Sequence, residues 1–163
     1  MRNTGIFQDV WLPQEECRLL KQMYSLAGDG LQYLYYKKWF SENELNISQI
    51  DSAWYTYTVN GYYDLTLRNW CMLFGNYSEP THYFKLQDYN GIKKYLQSIF
   101  GFMEIDKDKL REELLKLAGL SLQEFSSYHS LVLDYRNRYL SHREHHPDQI
   151  NDGDLTYPIL DTA

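Results

Sequence analysis

Ten consecutive residues near the C-terminal end, Asp134-Tyr-Arg-Asn-Arg-Tyr-Leu-Ser-His-Arg143, bring together side chains that can handle a phosphodiester. Three of the 16 Lys and Arg of the chain, Arg136, Arg138 and Arg143, fall between positions 136 and 143, where even spacing would place about one. A guanidinium offers a planar fork of donors to phosphate oxygens. His142, with an ordinary pKa of about 6.5, can take up and return a proton at neutral pH. Together they suit cleavage of RNA without a metal. The imidazole would remove the proton of a ribose 2′-hydroxyl or protonate the leaving 5′-oxygen, and an arginine would stabilise charge building on the phosphorus oxygens.

The candidate catalytic residues are therefore Arg136 and His142, supported by Asn137, Arg138, Ser141 and Arg143. On an ideal helix the six-residue step from Arg136 to His142 leaves them about 120° apart, so either the arginine reaches round or the helix loosens before Pro147. Arg138 and His142, at i and i+4, are the natural neighbours by spacing. Other roles stay open for the same residues. Arg136 also suits an ion pair with a carboxylate such as Asp134, and His142 suits a solvated helix end, where a cation complements the dipole. His142, His145 and His146 invite a metal, but no second ligand cluster stands elsewhere, and a solvated helix end is the expectation; no metal and no cofactor are expected. His82 and His129 stand alone and read as packing or loop residues.

The element that must carry this segment is a helix opening at Ser121-Leu-Gln-Glu124, a capping box in which serine and glutamate satisfy each other's backbone donors. Phe125, Tyr128, Val132, Tyr135 and Tyr139 then recur at spacings of 3, 4, 3 and 4, a stripe for packing on a helix of this subunit or another. Base stacking by these tyrosines is the alternative use of the stripe. Upstream, Pro13 with Glu15 and Glu16 predicts a helix start and a run to about Ala27, broken at Gly28-Asp29-Gly30 and resuming over Leu31 to Phe40. Asp51 can cap a central helix of about 25 residues, near 37 Å long, ending at Phe74-Gly75. Gly61 inside it predicts close approach of a neighbouring helix. An ordered loop is expected from Asn76 to Asn90 and a helix over Gly91 to Phe100. A further helix is capped by Asp106, stopped by Gly119, and faced by Leu110, Leu114 and Leu117. No alternating run long enough for a sheet is present, so the fold class is all-α, one domain over 1–163 with 148–163 as an irregular polar tail interrupted by Tyr157-Pro158-Ile159-Leu160.

Composition sets limits on partners. A formal charge of -6 and a pI near 5.3 oppose indiscriminate coating of nucleic acid, so any RNA contact must be local. The apolar stretches are far shorter than the roughly 20 residues that cross a bilayer, and Met1 to Trp11 lacks the pattern of a secretory signal. No membrane association and a cytoplasmic location are the expectations. Cys17 and Cys71 have no CxxC partners and are expected to be buried free thiols. The 16 tyrosines, four tryptophans and seven phenylalanines suit half-buried helix faces and subunit interfaces.

The segment RNRYLSH resembles the signature of the HEPN family: an arginine, a polar residue, and a histidine after four to six intervening positions near a helix end. Arg136, Asn137 and His142 occupy those places. RNWCMLFGNYSEPTHYFKL, from Arg68 to Leu86, is similar to the helix end and loop of bacterial HEPN-like proteins related to abortive-infection systems, and the tail DLTYPILDTA is similar to the segment after their motif. The resemblance runs from about Trp54 to the end, where such proteins often continue into a further helix. It implies an antiparallel helical bundle, frequently a homodimer whose two motifs form one composite ribonuclease site, acting in toxin or anti-phage biology with an antitoxin or other protein partner. It implies equally the inactive members, which bind nucleotides or partner proteins.

Overall fold

The computed structural model describes residues 12–43 and 52–141. The predictions for Asp51, His142, Arg143, His145, His146 and the tail 148–163 lie outside the described residues. Among those described, the secondary structure is helical throughout: α1 (Gln14–Glu42), α2 (Ser52–Phe74), a 3-10 helix (Tyr83–Asp88), α3 (Asn90–Phe100), α4 (Lys107–Ala118), α5 (Leu122–Tyr135) and a π-helical segment (Arg136–Ser141). No helix among them is long and apolar enough to cross a membrane.

Helices α1 and α2 form a long antiparallel hairpin, with the most extensive contact in the fold. Its register is fixed by polar side chains reaching backbone carbonyls. Asn69 Nδ2 donates to Leu26 O at 3.2 Å, Thr66 Oγ1 to Gly30 O at 3.4 Å, and Tyr55 OH to Phe40 O at 3.1 Å. These bonds account for the first departure from expectation: the Gly28-Asp29-Gly30 break does not form, and α1 runs on unbroken for 29 residues. A glycine in a helix costs about 1 kcal/mol relative to alanine. At Gly30 the helix faces α2, where an added Cβ would make an ordinary contact with Asn69 Cβ at 3.8 Å. Gly61 does not play that part, because a Cβ there would meet nothing within 4 Å.

Helix α5 packs on the same hairpin, antiparallel to α2. The main core joins Leu34 of α1, Tyr63, Leu67, Trp70 and Cys71 of α2, and Tyr128, Val132 and Tyr135 of α5. Trp70 meets Tyr128 edge-on at 5.3 Å, and Tyr63 meets Tyr135 edge-on at 5.6 Å. From Phe125 to Tyr135 the stripe therefore packs inside this chain, and each fully buried residue of that size contributes roughly 1.5–3 kcal/mol; the side chain of Tyr139 is outside those described. A second cluster of Tyr83, Ile105 and Leu110 seats the 3-10 helix, α3 and α4. On α4, Leu110 is fully buried and Leu114 partly so, but Leu117 is 74% exposed and Leu115 is buried in its stead.

Local caps set the boundaries. The Ser121/Glu124 capping box opens α5, Asp106 Oδ1 accepts from Lys109 N at 2.9 Å to open α4, and Gly119, with φ 68°, closes α4. Helix α3 has no side-chain cap from its own N-terminal residue. Glu16 of α1 supplies one across the fold, its carboxylate accepting from Ile92 N at 2.7 Å and Gly91 N at 3.2 Å. The carboxylate thereby meets orphan donors at the positive end of the α3 dipole. At the other end of α2, the ring nitrogen Nε2 of His129 lies 2.9 Å from Phe74 O and 3.3 Å from Gly75 O. Both partners are acceptors, so Nε2 carries the proton and donates.

Candidate functional site

The site begins where α5 stops being an α-helix. The Arg136 N–H reaches back to both Val132 O and Leu133 O, and from Arg136 to Ser141 the backbone follows the wider π pattern. The turn before it is anchored, since Tyr135 is 2% exposed against Tyr63. A π segment closes its bonds over five residues rather than four, which rotates the following side chains relative to an α-helix, and such segments recur at functional sites. The helix is thus loosened over Arg136–Ser141, while His142, the residue it was expected to bring toward Arg136, lies outside the described residues.

Arg136 is half-buried and Asn137 exposed. The amide oxygen of Asn137 accepts two bonds from the guanidinium, from Nε at 3.2 Å and Nη2 at 2.9 Å. Asp134 does not pair with Arg136. Its Oδ1 accepts from Arg138 Nε at 3.0 Å, an i,i+4 ion pair with both side chains more than half exposed. Arg138 is thus held by a carboxylate, and among the described residues no carboxylate pairs with Arg136. An amide oxygen orients the guanidinium without cancelling its charge, which stays available to an anion.

The wall beside this helix end contains a residue that sequence reasoning missed. Lys37 of α1 places Nζ 4.3 Å from the centroid of the Tyr63 ring, the same ring that Tyr135 meets edge-on. It stands 99 positions upstream of Arg136 and touches the same aromatic pair on which the last turn of α5 is anchored, and no local spacing joins the two. The charge of Arg136 is also felt across the core at Cys71, whose thiol it lowers, but burial dominates and pushes that thiol up to about 11. Cys71 is therefore protonated at neutral pH and is no nucleophile. Cys17 and Cys71 are both free; Cys71 is buried and Cys17 only half-buried.

Two other histidines turn out to share surroundings. His82 is 3% exposed, accepts at Nδ1 from Phe84 N at 3.1 Å, and packs against Tyr77, Tyr83 and Phe84. Burial, then the charges of His129, Lys85 and Lys107, hold its pKa down to about 4. It is a neutral packing residue at pH 7, and it feels the charge of His129, although the two lie in different elements. Among the described residues no group of His, Cys, Asp and Glu is arranged to hold a metal.

The structure therefore brings together Arg136 and Asn137, sets Arg138 beside them in an ion pair with Asp134, and ends the π segment at Ser141. His142 and Arg143 follow directly in the sequence. No family model, no curated protein and no solved structure matches this chain.

Proposed function

We propose that the chain is a metal-independent endoribonuclease of the HEPN type, cytoplasmic and homodimeric, acting in toxin or anti-phage biology. The observation that carries this reading is the guanidinium of Arg136, oriented by the amide of Asn137 and unpaired with any carboxylate among the described residues. In an acidic protein, an arginine that none of the described carboxylates pairs with suits a phosphate.

His142 takes the proton of a ribose 2′-hydroxyl, and the freed oxygen attacks the adjacent phosphorus. The bond from phosphorus to the 5′-oxygen breaks, that oxygen takes the proton back from the imidazolium of His142, and a 2′,3′-cyclic phosphate remains. Arg136 neutralises charge on the non-bridging oxygens as it builds. A second copy of the chain supplies the second motif of a composite site. The test is RNA cleavage in EDTA by the wild type and His142→Ala: cleavage abolished by the substitution supports the reading, and cleavage that survives it, or that needs a divalent metal, rejects it.

One observation favours a second reading, a catalytically silent helical module that binds a partner protein. The α1–α2 hairpin presents Tyr35 and Tyr57, 63% and 78% exposed, with Trp39 and Trp54 about half exposed beside them. Exposed aromatic bands of this kind mark protein contacts. Under this reading the wild type cuts no RNA, and Tyr57→Glu abolishes partner binding while Arg136→Ala leaves it intact.

A further inference from the structure

A cavity of about 330 Å³ opens between α1, α2, α4 and α5, about two helical turns before the π segment and independent of it. Its walls are apolar, built from Leu26, Leu31, Trp70, Leu73, Leu114 and Phe125. Leu117 stands at its edge, 74% exposed, and Leu31 is 39% exposed. The pattern of α4 assigns Leu117 to the same buried face as Leu110 and Leu114, yet among the described residues none covers it. An apolar rim around an apolar cavity is the form of a ligand site that retains its shape when empty.

The polar groups in the lining narrow the choice of ligand. Thr66 and Asn69 are already donating to Gly30 O and Leu26 O. Arg111 is the one ionised side chain in the lining. It donates from Nη2 to Asp108 at 2.5 Å, and Asp108 is 77% exposed, on the solvent side. The rest of its fork bonds to none of the described residues, and its charge is felt at Tyr83, which also lines the cavity. The cavity thus joins an apolar interior to a single cationic donor. An apolar cavity of about 150 Å³ takes up benzene, or about 25 Å³ for each non-hydrogen atom. By that measure this one holds about 13, enough for one medium-length chain with its head group and too few for a two-chain lipid.

We propose that this cavity binds a free medium-chain monocarboxylic acid, with its alkyl chain between α1, α2, α4 and α5 and its carboxylate on Arg111. The site is separate from Arg136 and does not depend on the ribonuclease reading.

The experiment is calorimetric titration of the full chain with decanoate and with decanol, repeated on Arg111→Gln and Ala118→Phe. Ala118 also lines the cavity, and a phenyl ring there occupies it. The expected result is saturable one-to-one binding of decanoate to the wild type, about tenfold tighter than decanol. Arg111→Gln levels the two, and Ala118→Phe removes both. Absence of saturable binding to the wild type, equal affinity for acid and alcohol, or decanoate binding unchanged in either variant overturns the proposal. Circular dichroism of each variant confirms that it is folded, and Ala118→Leu replaces Ala118→Phe if the larger ring unfolds the chain.

Discussion

The amide oxygen of Asn137 lies 3.2 Å from Nε and 2.9 Å from Nη2 of Arg136, its sequence neighbour, and accepts from both. Adjacent residues on an α-helix point about 100° apart, and here the two side chains fold toward each other at the point where the helix widens. The arginine is thereby oriented by a neutral group and keeps its full charge.

Asn137 is consequently a positioning residue under the proposed activity. Asn137→Ala removes the brace and is expected to lower cleavage by about 10- to 100-fold. Asn137→Asp keeps the acceptor but pairs the guanidinium with a carboxylate, and is expected to lower cleavage at least as far by weakening its hold on phosphate. Asn137 is exposed, so the melting temperatures of both variants should move by less than about 2 °C. Kinetics and thermal melts on the same preparations check the pair. Asn137→Asp cutting as fast as the wild type contradicts the account of Arg136.

Glu16 ties the first helix to the third, accepting from the first backbone N–H groups of α3 across 75 and 76 sequence positions while itself 7% exposed. Glu16→Ala leaves those donors buried without their acceptor. The expected cost is about 2 kcal/mol, a fall of about 4–8 °C in melting temperature for a domain of this size. Gly91→Ala should cost as much, because its Cβ would collide with the Glu16 carboxylate and lie 3.0 Å from Leu12 Cδ2. Thermal unfolding followed by circular dichroism gives both numbers, and the double variant should lose less than their sum.

His82 gives the fold a defined response to acid. Its pKa is about 4 in the folded chain and about 6.5 when unfolded, so between those values the unfolded state binds the extra proton. Stability is complete above pH 6.5 and falls as pH drops toward 4. Solvent around Lys85 and Lys107 screens part of the effect, which leaves about 1–2 kcal/mol. His82→Asn keeps an acceptor for Phe84 N and does not titrate. The wild type should lose more stability than this variant between pH 7 and 4.5 in urea melts, and equal losses contradict the assignment.

What the sequence displays and what it hides divide by distance along the chain. The Ser121/Glu124 box, the Asp106 cap and the Gly119 stop depend on residues three or four apart, and each was readable from those residues alone. The continuity of α1 was not, because its glycines are held in register by Thr66 and Asn69, 36 and 43 positions away. Gly61 and Gly30 look alike as glycines in helical patterns, and only the packing of α2 on α1 distinguishes them. Leu117 carries the right period for burial, but nothing in that period reports that the space beyond it is open. At the candidate site, the residue types were visible in RNRYLSH. The widening of the helix, the brace from Asn137 and the arrival of Lys37 were not, since they arise from backbone hydrogen bonding and from packing on Tyr63.

The central claim is most directly tested at the ends of the RNA that the protein leaves behind. The chain and its Arg136→Gln variant would be incubated with RNA in EDTA and the fragments analysed by mass spectrometry. The account predicts 2′,3′-cyclic phosphate and 5′-hydroxyl ends from the wild type, with the rate falling at least about 100-fold in the variant. Fragments carrying 5′-phosphate and 3′-hydroxyl ends, or a variant that cuts as fast as the wild type, would contradict it.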